Sequence, residues 1–509
     1  MSRLPLSYPP AFLIAVLALL PVGVLFTLVE SPEGIFATRN LKLVLNTLSL
    51  TGLTVLGSVL IGVPLALLTA YVRLPLGKLW LVLLAAPLAL PSYLGAFTFY
   101  AAFGPGGEIE QLLGISTPPA EGLIGASVVM ALYTYPFVLL TTRSALLSQD
   151  ASLINAARSL GLGLPACLWR VVLPRALNGI AAGGLLAALY ALSDFGTPAI
   201  MGLDTFTRVI YVEYNAFGLS QAALFSLQLL AIVGLVLYLE SRVAVTQERP
   251  GRPLALWPRR WQVPVLLLAV APVTLFAIAL PLSIFGLWLL REGSAGFEMA
   301  YAWNSVKASL LAAAVAAAVA IPVAWAAMGG RFGRILERVT YLGFGIPGIV
   351  MGTALVYLGL KLPYLYQTLA LLVVAYVMRF LPLAVGSIRA TAESMDGSLV
   401  KAARVLGAGP AEVFRRVTLP LTRRGIIAGA ALVFLEAMRE LPATILLAPT
   451  GFETLATYLW RVYEAGYFGR AAIPGLLLIL MSALGLAMML LGERRAEFGV
   501  FGDNAATDK

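Results

Sequence analysis

The sequence predicts an all-α polytopic membrane protein with about twelve transmembrane helices, built as two parallel six-helix repeats. Three observations predict it. The chain of 509 residues is 60% hydrophobic and only 12% charged, with a mean hydropathy of +0.91, whereas a soluble domain is about half apolar and a quarter charged. Apolar runs near the length of about 20 residues that a bilayer requires recur along the chain. And one polar stretch is written twice: "NAARSLGLGLPACLWRVVLP" at 155–174 returns 246 residues later as "KAARVLGAGPAEVFRRVTLP" at 401–420.

In chain order the expected spans are 11–29, 43–71, 79–103, 122–142, 178–201, 222–241, 264–290, 304–328, 340–361, 367–388, 425–448 and 472–492. The first follows Arg3 and is too long for a signal-peptide core; no A-x-A cleavage site follows it, so it reads as an uncleaved span. The cations sort the loops. Arg73 and Lys78, the stretch from Arg242 to Arg260, Arg331 to Arg338, Arg494 and Arg495, and both repeated stretches are basic. The alternate loops carry Glu30, Glu33, Glu108, Glu110, Glu121, Asp204 and Glu213. With twelve spans every basic loop falls on one face, which the positive-inside rule makes cytoplasmic, together with both termini. The net charge of +10 is then a topology signal. Nucleic acid is not expected as a partner; membrane lipid is.

One cysteine, Cys167, and no histidine exclude an internal disulfide framework and leave zinc or haem almost no ligands. Oxygen ligands from Asp, Glu and Tyr remain.

The repeat divides the chain. Residues 150–180 align without a gap on 396–426, with about half the positions identical. Asn46 and Pro64 match Asn304 and Pro322; Pro136 and Arg143 match Pro382 and Arg389; Tyr214 matches Tyr463. The expected organisation is a first half at 1–245, a linker at 246–263, a second half at 264–495 and a tail at 496–509. Six spans per half give both halves one orientation, related by an axis along the membrane normal.

Each repeated stretch reads as two short helices with a sharp bend. Asp150 or Ser152, and Asp396 or Ser398, can cap the first helix. Leu153, Ala156, Ala157 and Leu160 form a stripe at helical spacing, matched by Leu399, Ala402, Ala403 and Leu406. Gly161 and Gly407 stand where a C-terminal cap needs left-handed backbone. Pro165 and Pro410 can open the next helix, and Leu173-Pro174 and Leu419-Pro420 are expected to break it. Such a helix suits a groove on another protein, with Arg158 and Arg404 at the rim; an interfacial helix packed on its own domain is the plainer alternative.

At these residues the sequence resembles the permease subunits of importers driven by ATP-binding cassettes. Their "EAA loop" reads here as Ala156-Ala157, Gly161, Val171 and Leu173-Pro174, and again as Ala402-Ala403, Gly407, Val417 and Leu419-Pro420; Asn155 and Lys401 replace the leading Glu. The resemblance implies the type I importer fold, with two permeases fused into one chain. It implies two cytoplasmic ATPase subunits gripping the loops and an extracytoplasmic substrate-binding protein. The chain has no phosphate-binding G-x-x-x-x-G-K-[ST] loop, so ATP and Mg belong to the partner ATPase; no cofactor is expected to be held tightly, and the chain is expected not to be an enzyme itself.

Charges inside spans are expensive and usually functional. "YALSDFGTPAIMG" places Asp194 in the fifth span, and "EAMRELPATILLAPTGFETLATYLW" places Glu436, Arg439 and Glu440 in the eleventh, with Asp194 aligned on Glu440. They are candidates for the translocation path; alternatively Glu436 and Arg439, three apart, form a structural pair. Pro198 and Pro442 are expected to kink or end these helices. The same two strings are similar to those of ferric-iron importers, although thiamine, phosphonate and polyamine permeases share the broad group. A six-plus-six secondary transporter driven by an ion gradient is the rival of another class; it offers no reason for two matched loops after each fourth span.

Overall fold

The structure is a computed structural model, and it describes residues 7–29, 38–114, 120–243, 254–395 and 397–485. Glu30, Glu33, linker residues 246–253, Arg494, Arg495, Asp396 and the tail lie outside the described residues. Among the described residues ten helices are long and apolar enough to cross a membrane, and twelve if two sharply bent pairs each count as one.

The bent pairs are where the expected third and ninth spans depart from straight rods. Gly77–Ala89 turns by 92° into Ser92–Leu113, and Arg331–Gly345 by 100° into Gly348–Lys361. The cause is local. Leu90 and Ile346, which precede Pro91 and Pro347, are extended (ψ 136° and 120°), because a proline ring disfavours helical backbone in the residue before it. The next helix starts directly after each proline.

The expected fifth and eleventh spans are also broken. Their helices end at Ser193 and Met438 and are followed by the short helices Gly196–Ile200 and Pro442–Leu447. Then come Phe206–Asn215 and Leu455–Glu464, each about 15 Å long at 1.5 Å per residue and too short to span. The repeated asparagines hold this region in place. The side-chain amide of Asn46 donates to the carbonyl of Asp204, and that of Asn304 to the carbonyl of Glu453, both at 2.9 Å. Beside them Thr47 Oγ1 accepts from the N–H of Phe206 at 3.2 Å and Ser305 Oγ from that of Leu455 at 2.8 Å. A neighbouring helix thus satisfies orphan donors at the start of each short helix.

The compact units are not the sequence halves. One comprises residues 1–32, 210–227 and 296–461; the other comprises 33–209, 228–295 and 462–509. Each takes the leading span of the opposite repeat. In the first unit, helix Tyr8–Leu28 packs on second-half helices, with the Tyr8 ring edge-on to Phe332 at 5.8 Å. In the second unit, helix Leu280–Glu292 packs on first-half helices. There Trp288 Nε1 donates to Glu108 at 2.7 Å, Arg291 pairs with the other Glu108 oxygen at 2.8 Å, and Phe285 and Trp288 flank Phe97. Glu108, read from the sequence as a loop acid, is thus the buried anchor of an exchanged span. The described end of the linker is fastened in the same unit: Leu256 donates to the Tyr71 carbonyl at 2.7 Å and accepts from the Arg73 N–H at 2.9 Å.

Candidate functional site

The two repeated segments fold alike. Ala151–Ser159 is capped by Asp150, whose carboxylate accepts from the N–H of Ser152 at 2.8 Å. Its counterpart is Gly397–Val405. Each helix ends at a glycine with positive φ, Gly161 at 90° and Gly407 at 87°. The residue after each glycine donates back to the carbonyl of Ala157 at 3.2 Å and of Ala403 at 3.1 Å, the hydrogen bond of a Schellman cap. The expected stripe divides in two. Ala157 is buried with Ile154 against Leu146, Cys167 and Val172, and Ala403 is half-buried. These positions hold each segment to its own unit. Leu153, Ala156 and Leu160, and likewise Leu399, Ala402 and Leu406, face outward. Leu160 is 86% exposed and Leu406 87%; Arg158 and Arg404 are exposed beside them. The face that each segment leaves exposed is therefore one alanine and two leucines, with the second alanine turned inward.

The Leu-Pro pairs do not break the helix. Helical backbone runs on from Leu164 to Ser193 and from Ala411 to Met438. Pro174 and Pro420 sit in the first turn after π-helical turns at Leu168–Val172 and Phe414–Thr418. A proline inside a helix removes a donor and crowds the turn before it; the wider π turn accommodates both effects. Leu173, Pro174, Leu419 and Pro420 therefore lie within a continuous rod that begins after the turn closing each segment and runs into the following span.

At the remote ends of those two rods stand the acids. Asp194 and Glu440 are not within their helices but in the breaks that follow. Glu440, 5% exposed, is fully engaged. Arg379 pairs with it at 2.7 Å, the N–H groups of Ala443 and Thr444 donate to it at 3.0 Å each, and the Thr444 hydroxyl does so at 2.7 Å. Tyr376 shares a hydrogen bond with that hydroxyl at 2.6 Å. Position 348 must be glycine here: a Cβ on Gly348 would lie 1.9 Å from Arg379 Nη1 and 2.6 Å from Glu440 Oε1. Glu436 and Arg439 pair with each other. Asp194 is half-buried and accepts from the N–H of Thr197 at 3.2 Å, with the Ser92 hydroxyl close by.

Sequence reasoning missed Arg379. Its signal was available as an arginine within the apolar run 369–382, where an intramembrane cation asks for a named partner. Also missed was the role of Arg389, which joins Glu337 at 2.5 Å and Glu393 at 2.7 Å. Its repeat partner Arg143 has Leu81 and Leu147 where those acids would stand, and its buried Nε has no hydrogen-bond partner among the described residues.

The family described as "Binding-protein-dependent transport system inner membrane component" matches residues 62–245 and 311–497, more than half of the chain. The Fe(3+)-transport system permease protein FbpB 2 of Haemophilus influenzae is 31% identical over 503 residues, covering 94% of each chain. The ferric transport system permease protein FbpB of Actinobacillus pleuropneumoniae is 22% identical over 480 residues, 86% of this chain and 69% of that one. The molybdenum transport system permease protein ModB of Escherichia coli is 31% identical over 215 residues, 38% of this chain and 92% of that one.

Proposed function

This chain belongs to the binding-protein-dependent transport system inner membrane component family, as the permease and not the ATPase of an ATP-binding-cassette importer, and we propose that it forms the path for ferric iron. The observation that carries the importer mechanism is the duplicated segment. Two helices of one shape, with Ala157 buried and Ala403 half-buried on the inner side and Leu160 or Leu406 facing outward, are each followed after a short turn by a rod that ends just before Asp194 or Glu440. On this reading a push on either segment is carried through the capped turn that follows it into the matching rod.

On this reading both termini and both segments lie in the cytoplasm. Two ATPase subunits each receive one segment, with Ala156, Leu160 and Arg158, or Ala402, Leu406 and Arg404, in the groove. A binding protein delivers cargo to the opposite face. ATP-driven closure of the ATPases swings the rods, and the breaks exchange access. The ferric assignment is supported by the full-length likeness to an Fe(3+)-transport permease and by carboxylate and hydroxyl groups at the first break, donors that suit a hard cation. The match of a molybdenum permease to part of the chain makes molybdenum the competing cargo.

The test is uptake into proteoliposomes holding this chain with its ATPase, given binding protein loaded from a panel of ferric iron, molybdate, thiamine, phosphonate and polyamine. Ferric uptake that depends on ATP is expected. Uptake of another member of the panel and not of iron would overturn the assignment of cargo.

A further inference from the structure

The repeat supplies its own control for the two acids. Ser92 and Gly348 each follow the proline of a bend, and the register that matches Pro136 with Pro382 sets Tyr133 against Arg379 and Asp194 against Glu440. In the second half these positions close on one another: Gly348 leaves room, Arg379 fills it, and Glu440 is neutralised there. In the first half the same positions hold a hydroxyl, a phenol and a shorter acid. Tyr133 turns its hydroxyl to the carbonyl of Ala277 at 3.1 Å, so nothing basic replaces Arg379. Among the described residues no lysine or arginine pairs with Asp194. Its neighbours are the backbone N–H groups of Thr197, at 3.2 Å, and Gly196, with the Ser92 hydroxyl close by, and the Tyr190 hydroxyl lies 3.5 Å from Ser92 Oγ. A carboxylate partly withdrawn from water without a counter-ion costs free energy, and ionisable groups within membrane spans are usually functional.

We propose that Asp194 alone is the carboxylate the cargo meets, with the Ser92 and Tyr190 hydroxyls beside it, and that Arg379 has made Glu440 a fixed strut. This rests on the cation-importer reading above. One negative charge among neutral hydroxyls attracts a hard cation and also releases it, as a conducting site must.

Asp194→Asn and Glu440→Gln each remove one charge and keep the shape. In proteoliposomes with the ATPase and ferric-loaded binding protein, uptake per purified complex falls about tenfold further in Asp194→Asn than in Glu440→Gln. The double variant Ser92→Gly with Tyr133→Arg rebuilds the second-half pair in the first half. It lowers uptake as Asp194→Asn does while ATPase association stays intact. Equal losses from the two neutralised acids, or wild-type uptake in the double variant, overturn the proposal. Uptake by the wild type tests the cargo reading separately. If the wild type moves a different substrate, the ratio between the two variants is read on that substrate, and a ratio near one overturns the proposal there too.

Discussion

The two coupling segments and the two carboxylate breaks lie at opposite ends of the same pair of helical rods, and the repeat treats them differently. The segments agree in left-handed glycine, in the hydrogen bond that closes their C-terminal end, in the leucines they display and in the π turn that follows. The breaks keep their backbone and exchange their chemistry, an Arg379–Glu440 pair in one and an Asp194 with no ion pair among the described residues in the other. A surface that receives two copies of one motor must present one shape twice. A passage for a single cargo has no such constraint, and duplicated positions are free to divide between holding the structure and meeting the cargo.

The sharpest way to break this comparison is at Arg379. Arg379→Met strands Glu440 in a buried site, and removing one partner of a buried pair costs about 3–5 kcal/mol. A large drop in the melting temperature of the purified chain is expected, and an unchanged melting temperature would show that the second break is not locked. Gly348→Ala drives a methyl group into the same pair and is expected to cost about 1–3 kcal/mol, the usual range for overpacking. Ser92→Ala adds no Cβ and loses only the hydroxyl's hydrogen bonding, about 1 kcal/mol, and is expected to lower the melting temperature less than Gly348→Ala does. Comparable losses at both positions would erase the distinction between the breaks.

The likeness of the segments is sharpened by smaller changes. Around Gly161 and Gly407 there is open space for a Cβ, so valine at either meets only the left-handed backbone, a cost of about 1–2 kcal/mol. Both variants are expected to lose ATPase co-purification to the same degree; loss in one alone would mean the segments are not equivalent. Leu160→Ser and Leu406→Ser alter exposed side chains and are expected to shift stability by no more than about 0.5 kcal/mol. ATPase affinity measured on these two is nonetheless expected to fall, and unchanged affinity would place the contact face elsewhere.

The sequence made the repeat, the span count and the capped segments legible, because each rests on short-range rules: apolar length, glycine after a helix, proline at its start. Three features needed tertiary structure. Hydropathy registers 79–103 and 340–361 as apolar runs and cannot show the right-angle turns at Pro91 and Pro347, since both arms are equally apolar. Leu-Pro reads as a break unless the π turn ahead of it is seen. The exchange of leading spans between units leaves no local trace; only Glu108, whose carboxylate needed Trp288 and Arg291, hinted at it. Within the candidate site, Asp194 and Glu440 were found because charge in an apolar run is conspicuous. Their different surroundings turn on Arg379, 61 residues from Glu440 in sequence and adjacent only in the fold.

The central claim is that both segments are levers gripped by the ATPase. Cys167, the single cysteine, is buried, so a Cys167→Ala background allows Leu160→Cys and Leu406→Cys to be introduced one at a time and cross-linked in the reconstituted complex. The account predicts that each cysteine cross-links to an ATPase subunit, with equal yield and with a dependence on ATP. Cross-linking at neither position, in a complex that still transports, would contradict it.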